Sequence, residues 1–273
     1  MISLCVARGF TLPVTAECIS PDVLWRLTAE QINEMPVWEG NKRKKLGALF
    51  NVTREDGPSA EEAAVTVSGE LSKVRRIGSL MQTGTITING DVGMYLGEEM
   101  KGGRILVNGD VGRWAGSMMK GGTIEVRGSA GDYLAAPYRG STEGMRGGTI
   151  VVHGNAGNEA GAHMKRGIIR VHGDVGEFAG LRMRDGVIYV GGRCGDRAGA
   201  CMTGGKIVAA GPLDVVLPTF TLEGIRPKAK IGESESVEGP FYVFSGDIAE
   251  RGDGKLYVSR QRNPHLVWYE RFL

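Results

Sequence analysis

His153 and His172 stand nineteen residues apart, each directly before a glycine. A neutral imidazole binds zinc, copper or nickel, so two of them about 5 Å apart on neighbouring strands would be the nucleus of a metal site. The equivalent places elsewhere hold Asn89, Asn108, Arg127, Gly191 and Ala210, which supply no further strong ligand. Stacking of the two rings on the surface is the plainer reading. His163 and His265 have no partner that the spacing identifies. Cys194 and Cys201 lie close together, and a thiolate there would be a nucleophile or a soft-metal ligand. Cys194, however, falls in an inward column of small residues, where a thiol packs as a small hydrophobe. Asp91, Asp110 and Asp174 each follow a glycine, but they recur with a long repeat and not at the nine-residue period of calcium-binding coils. No glycine-rich stretch has the strand–turn–helix setting of a phosphate-binding loop. The residues therefore assign no catalytic, cofactor-binding or metal role to this chain.

Recognition has better candidates. Tyr95, Trp114 and Tyr133 share one place in successive repeats and Phe178 shares it further on, with Glu159 and Arg197 between and beyond. Their neighbours Leu96, Ala115 and Leu134 suit an interior, so the rings are expected to face outward. Exposed aromatic columns are costly unless covered, here by a partner or by the chain's own termini. An excess of seven residues near 135–143 reads as a loop leaving the repeat, with Tyr138 and Arg139 its best contact candidates. A plain tolerated loop is the alternative.

The element that must position these residues is a repeat. Runs beginning at Thr85, Arg104, Thr123, Thr149, Ile168, Val187 and Lys206 are nineteen residues apart, except for one step of 26. A degenerate copy covers about 64–84. Each run places an isoleucine second: Ile86, Ile105, Ile124, Ile150, Ile169, Ile188 and Ile207. Val107, Val126, Val152, Val171 and Val190 follow two residues on, then a glycine. A methionine precedes each run: Met81, Met100, Met119, Met145, Met164, Met183 and Met202. The unit is Gly-x-x-Met-x-x-Gly-x-Ile-x-Val-x-Gly, seven times, with Thr142 for the first glycine once. Ile-x-Val alternation is the signature of a strand with one buried face, and glycines supply positive φ at corners. Such a short strand buries its face only by stacking on its neighbours. The fold class is thus mainly β, a single-stranded right-handed parallel β-helix, its Ile, Val and Met in ladders. Methionine at each turn is better explained as core than as a soft-metal site. At about 4.8 Å per coil, seven or eight coils make a rod of roughly 35 Å.

The composition fits. The 44 glycines among 273 residues are more than twice the usual share of about 7%, yet ten prolines are too few for collagen. A net charge of +2 gives no electrostatic case for nucleic acid or a membrane surface. No apolar run approaches a membrane span, residues 1–12 lack a secretory apolar core, and four cysteines without a Cys-x-x-Cys pair suggest reduced thiols in the cytoplasm. Residues 1–62 read as a small α/β cap, 63–211 as the β-helix and 212–273 as an irregular C-terminal cap. In the first, Ile2–Val6 and 11–15 are expected strands, Ser20-Pro21-Asp22 a helix start, Thr28 to Gln31 a capping box, Lys42–Lys45 a solvated basic face and 55–62 a polar linker. In the last, 213–222, 241–244 and 256–259 are expected strands, and Pro227, Gly239-Pro240 and Asn263-Pro264 mark loops.

The sevenfold unit resembles the C-type subunit of formylmethanofuran dehydrogenase and the C-terminal domain of the glutamate synthase large subunit. Pro36-Val37-Trp38-Glu39-Gly40-Asn41, Gly239-Pro240-Phe241-Tyr242 and Ser245-Gly246-Asp247 favour the dehydrogenase family and extend the resemblance over nearly the whole chain. It implies a scaffold without its own active site in an oxidoreductase complex of one-carbon metabolism, which reduces CO2 and condenses it with methanofuran in the first, reversible step of methanogenesis. A tungsten or molybdenum pterin, iron–sulfur clusters and a binuclear metal centre are expected in the pterin-binding, amidohydrolase-like and ferredoxin-like partner subunits. A bacterial formyltransferase/hydrolase complex with a similar subunit is the alternative, and a stand-alone domain of glutamate synthase type another. A polysaccharide lyase would need an outward cluster of Asp, Arg and Lys, which the repeats do not form.

Overall fold

The computed structural model describes residues 1–55 and 63–273, so most of the expected linker lies outside the described residues. The chain is mainly β. It opens with β1 (Ile2–Val6), β2 (Val14–Thr15), α1 (Pro21–Leu24), α2 (Ala29–Asn33), β3 (Pro36–Glu39), β4 (Lys42–Lys45) and β5 (Phe50–Arg54). The repeats contribute β6 (Ala64–Ser68), β7 (Val74–Arg75), β8 (Thr85–Asn89), β9 (Arg104–Val107), β10 (Thr123–Val126), β11 (Thr149–Val152), β12 (Ile168–Val171), β13 (Val187–Val190) and β14 (Lys206–Ala209). Three longer strands follow, β15 (Thr221–Lys230), β16 (Ser236–Gly246) and β17 (Gly254–Ser259).

Thirteen of these strands form one sheet, ordered β15-β16-β17-β14-β13-β12-β11-β10-β9-β8-β6-β1-β5. From β1 through β14 to β17 every neighbouring pair within it is parallel. The register is that of the repeat. Ile86 faces Ile105, then come Ile124, Ile150, Ile169, Ile188 and Ile207 in series, and Leu256 of β17 extends the column. All seven isoleucines are fully buried, as is each repeat methionine from Met100 to Met202, with Met81 at 1%. A slip of one residue would turn the whole column to solvent. Outside this sheet, single parallel bridges run Leu71–Val92–Val111–Ala130–Ala156–Val175–Cys194–Leu213.

The repeat glycines make this spacing possible. A Cβ on Gly103, Gly122, Gly148, Gly167, Gly186 or Gly205 would sit 2.6–2.8 Å from the Met Cε of the preceding repeat. Each methionine thus fills the space that the next repeat's missing side chain leaves. At the outer corner, Asp110 N–H donates to Asp91 Oδ1 (2.8 Å), Ser129 N–H to Asp110 (2.7 Å), Asn155 N–H to Ser129 Oγ (3.1 Å), Asp174 N–H to Asn155 (2.8 Å) and Arg193 N–H to Asp174 (2.7 Å). The aspartates, weighed from their spacing as calcium ligands, satisfy backbone donors of the next repeat.

The ends are closed by added strands. β1 lies parallel on β6 and antiparallel to β5, and a second sheet, β4-β3-β2-β7, continues from the repeats at β7. The capping box at Thr28 and Gln31 forms, and Pro21 begins α1. The strand expected over 11–15 shortens to Val14–Thr15, since Pro13 carries no N–H for a ladder. Lys42–Lys45 is an edge strand with all four side chains exposed, a charged edge that resists pairing with another chain.

Two C-terminal expectations change. Residues 213–222 are not a strand: Leu213 makes one bridge, and the strand starts only at Thr221, beyond Pro218. Pro227 and Gly239-Pro240 lie inside long strands, because the β15–β16 hairpin absorbs them at register shifts between Leu222 and Gly224 and between Arg226 and Lys228. This hairpin folds over the outer face of the main sheet. Ala229, Ile231 and Phe241 bury Val208 and pack beside Tyr189 and Tyr257, and Glu235 near its tip pairs with Arg170 of β12 at 2.6 Å. Asn263, fully buried, ties the end together by accepting from Leu213 N–H (2.7 Å) and donating to Gly211 and Ser259 carbonyls.

Candidate functional site

The aromatic column assembles as its spacing requires. Tyr95 stacks on Trp114 with ring centroids 5.3 Å apart and planes 11° from parallel, and Trp114 stacks on Tyr133 at 4.5 Å and 15°. The column runs on at both ends as cation–π contacts: Arg76 lies 5.3 Å from the Tyr95 ring and Arg197 5.1 Å from Phe178. Every member from Arg76 to Arg197 has a left-handed backbone, φ between 59° and 66°. That conformation costs a non-glycine residue about 1–2 kcal/mol. A second ladder accompanies it: Tyr95, Trp114, Tyr133, Glu159 and Phe178 each donate a backbone N–H to a carbonyl of the following repeat, at 2.8–3.0 Å.

Exposure along the column is uneven. Trp114 is only 9% exposed, and its indole Nε1 is buried without a hydrogen-bond partner. Stacked rings lie on both of its faces, and Ala136, Pro137 and Tyr138 of the inserted loop share a hollow with it. Tyr95, Tyr133 and Phe178 are half-buried. Tyr138 and Arg139 are exposed, with Tyr138 at 54%. Between loop and column lies a hollow of about 290 Å³ lined by Trp114, Tyr133, Tyr138, Arg139, Glu159 and His163 among others.

The loop also leaves the repeat at a different residue from the one its spacing suggests. Ala135, not Thr142, occupies the glycine position: its φ is 61°, its N–H donates to Ala115 O at 2.8 Å as Gly116 does to Leu96, and Met145 N–H bonds back to it. The extra residues lie between Ala135 and Met145. Glu143 anchors their far end by pairing with Lys165 at 2.5 Å and with Arg146. The Lys165 hydrogen bond, then the charges of Arg146 and Lys165, hold its carboxyl below the usual range.

His153 and His172 stack at 5.3 Å and 14°, and His153 Nε2 lies 3.2 Å from Glu125 Oε1. Hydrogen bonds from His153 and then Arg104 lower the Glu125 carboxyl. Cys194 is fully buried, its thiol pushed up to about 12 by desolvation, so it has no thiolate character near neutrality. All four cysteines are free. Among the described residues no three His, Cys, Asp or Glu side chains gather as a metal site requires. Among the described residues no helix is long and apolar enough to cross a membrane.

No model of a known protein family matches the chain. Over 88 residues, 32% of its length, it is 40% identical to the C-type subunit of the molybdenum-containing formylmethanofuran dehydrogenase 1 of Methanothermobacter marburgensis. It is 38% identical over 89 residues to the Methanosarcina barkeri counterpart, and 37% over 87 residues to the same subunit of the tungsten-containing formylmethanofuran dehydrogenase 2 of Methanococcus maripaludis. The chain is a distant homologue of the C-type subunit of formylmethanofuran dehydrogenase. The aligned stretches span 21%, 30% and 31% of those relatives. The whole fold of this homologue matches a chain in the crystal structure of the formyltransferase/hydrolase complex from Methylorubrum extorquens in complex with methylofuran. That match covers 94% of this chain and 99% of the other, with a TM-score of 0.83 and 29% identity.

The homologue carries one further pattern that the repeat unit conceals. The residues after the five middle repeat methionines, Met100 to Met183, are Lys101, Lys120, Arg146, Lys165 and Arg184 in turn, a basic column at the repeat period, with Gln82 and Thr203 in its place at the two ends. Its signal was present but sat one residue from a more conspicuous ladder. Glu99 neutralises Lys120 at 2.6 Å, and Glu143 neutralises Arg146 and Lys165.

Proposed function

We propose that this chain is the scaffold subunit of a formyltransferase/hydrolase complex that transfers a formyl group and hydrolyses it to formate, and that it carries no active site itself. One observation carries the reading: the fold agrees end to end with a chain of such a complex, over 94% of this chain and 99% of that one. The parallel ladders, the seven-isoleucine column and the second line of bridges support a single-stranded right-handed parallel β-helix as the scaffold. We divide it at 1–62, 63–211 and 212–273, with strands at both ends closing the stack. The surface assigned to partner subunits is the outer edge of Tyr95, Tyr133 and Phe178 with the exposed Tyr138 and Arg139. A column whose central ring is held at 9% exposure is a rigid platform, and rigid aromatic anchors suit interfaces. We place the complex in the cytoplasm, without nucleic acid or membrane.

The second reading is formylmethanofuran dehydrogenase, favoured by 37–40% identity to its C-type subunit over a third of the chain. In it the partners would bring the tungsten or molybdenum pterin, the iron–sulfur clusters and the binuclear centre. Purification of the native complex tests both. Co-elution with amidohydrolase-like and formyltransferase partners and no pterin supports the first; pterin-binding and ferredoxin-like subunits support the second. A chain that elutes alone and turns over a substrate unaided would overturn both.

A further inference from the structure

On the other side of His163 from the aromatic hollow lies a second one, about 220 Å³, lined by Thr142, His163, Arg182, Arg184, Cys201, Thr203 and Glu250. Three successive repeats build its floor. His163, Arg182 and Cys201 occupy one left-handed column, with φ of 56°, 53° and 57°. Arg184 and Thr203 occupy the basic column beside it. Thr142 reaches in from the inserted loop and Glu250 from the short helix Ile248–Glu250. Charge is not balanced here. Lys120, Arg146 and Lys165 of the basic column have carboxylate partners, but among the described residues neither Arg182 nor Arg184 makes an ion pair or a side-chain hydrogen bond. Glu250, the one carboxylate in the lining, pairs with neither.

We infer that this hollow is a binding site for one small free oxyanion of phosphate size, held between Arg182 and Arg184. Two guanidinium groups on the same rung, in neighbouring columns, offer paired N–H donors of the kind that grip a tetrahedral or trigonal oxyanion. Thr142 and Thr203 add hydroxyl donors. The volume holds several waters at about 30 Å³ each, hence one such anion with part of its hydration and no larger ligand. His163 reports on the site: desolvation, then the charges of Arg182 and Arg184, lower its pKa, so the ring is neutral near pH 7 and offers one N–H. This site lies outside the surface assigned to the partner subunits and stands independently of that assignment.

The test is a titration of the full chain with inorganic phosphate at constant ionic strength, chloride replacing it in the control. It is followed by calorimetry and by the His163 ring-proton signals. The expected result is saturable one-to-one binding that shifts those signals. Arg182→Gln and Arg184→Gln should each weaken it about tenfold, the loss typical of one charge-assisted contact. Glu250→Gln should tighten it, and Lys101→Gln, at the far end of the same column, should leave it unchanged. Three results would overturn the inference: no saturable shift beyond chloride, saturable binding that both arginine variants leave unaltered, or binding of a short acidic peptide where phosphate fails. The last would make the hollow a docking point for a protein carboxylate. Both arginines are exposed, so the variants are expected to fold, and an unchanged unfolding midpoint checks it.

Discussion

Gly97 and Gly122 both have left-handed backbones, with φ of 63° and 83°, yet they should respond differently to alanine. At Gly97 the new methyl would lie 2.6 Å from Ile124 Cδ1 and 3.3 Å from Ile105 Cδ1, both ends of flexible side chains. The left-handed penalty of about 1–2 kcal/mol is partly offset by about 0.4–1 kcal/mol from the stiffer unfolded chain. With a modest repacking cost, Gly97→Ala should destabilise by about 1–2 kcal/mol. At Gly122 the methyl would lie 2.8 Å from the Gly102 carbonyl carbon, the Gly103 oxygen and Met100 Cε. Two of those three are backbone, pinned by the ladder, so overpacking enters near the top of its range and the loss should be about 3–4 kcal/mol. Ala135→Gly is the control, because the protein already carries a methyl at the Gly97-type position. Relief of the left-handed strain, the added unfolded-state freedom and one lost buried methyl should leave it within about 1 kcal/mol of the parent. Guanidinium unfolding measures all three, provided the slopes agree. Equal midpoints for Gly97→Ala and Gly122→Ala would refute the reasoning that packed backbone, and not the repeat glycine as such, sets the cost.

Other outcomes follow from single contacts. Trp114→Ala should cost about 3–5 kcal/mol, since it removes a buried ring stacked on both faces; loss of near-ultraviolet circular dichroism and of the midpoint checks it. Iodoacetamide near pH 8 should label the exposed Cys5 in the native protein and leave Cys194, with its thiol near 12, unlabelled until denaturant is added; mass mapping decides. The carboxylate of Glu143 is held below its ordinary value, so its grip on the inserted loop is present above the unfolded pKa and lost as pH falls through the depressed one. Glu143→Gln should mimic that loss at neutral pH, seen as faster tryptic cleavage after Arg139 than in the parent. Tyr138→Ala with Arg139→Ala should weaken co-elution with partner subunits while leaving the unfolding midpoint within about 0.5 kcal/mol of the parent.

The repeat was legible because its chemistry is periodic. Ile105, Ile124 and Ile150 announce an inward column by type and spacing, and their pairing follows from period two and period nineteen together. Where one copy departs from the period, the residues give less guidance. Thr142 resembled the repeat glycine in spacing from Met145, but Ala135 takes its place with a φ of 61°, and the extra residues between it and Met145 hide the match. Trp114 looked exposed because its column alternates with the core; only the stacked Tyr95 and Tyr133 and the returning loop show that an outward ring can be buried. Pro227 and Gly239-Pro240 signalled loops on local grounds, and a long hairpin with shifted register overrode them. The hollow around Arg182 and Arg184 had no local signature at all. It joins three repeats, a loop and a residue 66 positions beyond Arg184, and its unbalanced charge emerges only when the partners of the other basic rungs are known.

The hydrogen bonds from Asp91 through Asp110, Ser129, Asn155 and Asp174 hand each rung's donors to the one before it, so no rung depends on its absolute place in the line. Gain or loss of a complete nineteen-residue module would preserve every such handover, whereas any other length must bulge away as the residues after Ala135 do. The wall is therefore adjustable in increments of about 4.8 Å. Bodies fastened at its two extremities would be moved apart or together by that increment with neither attachment altered, so the number of modules sets a distance.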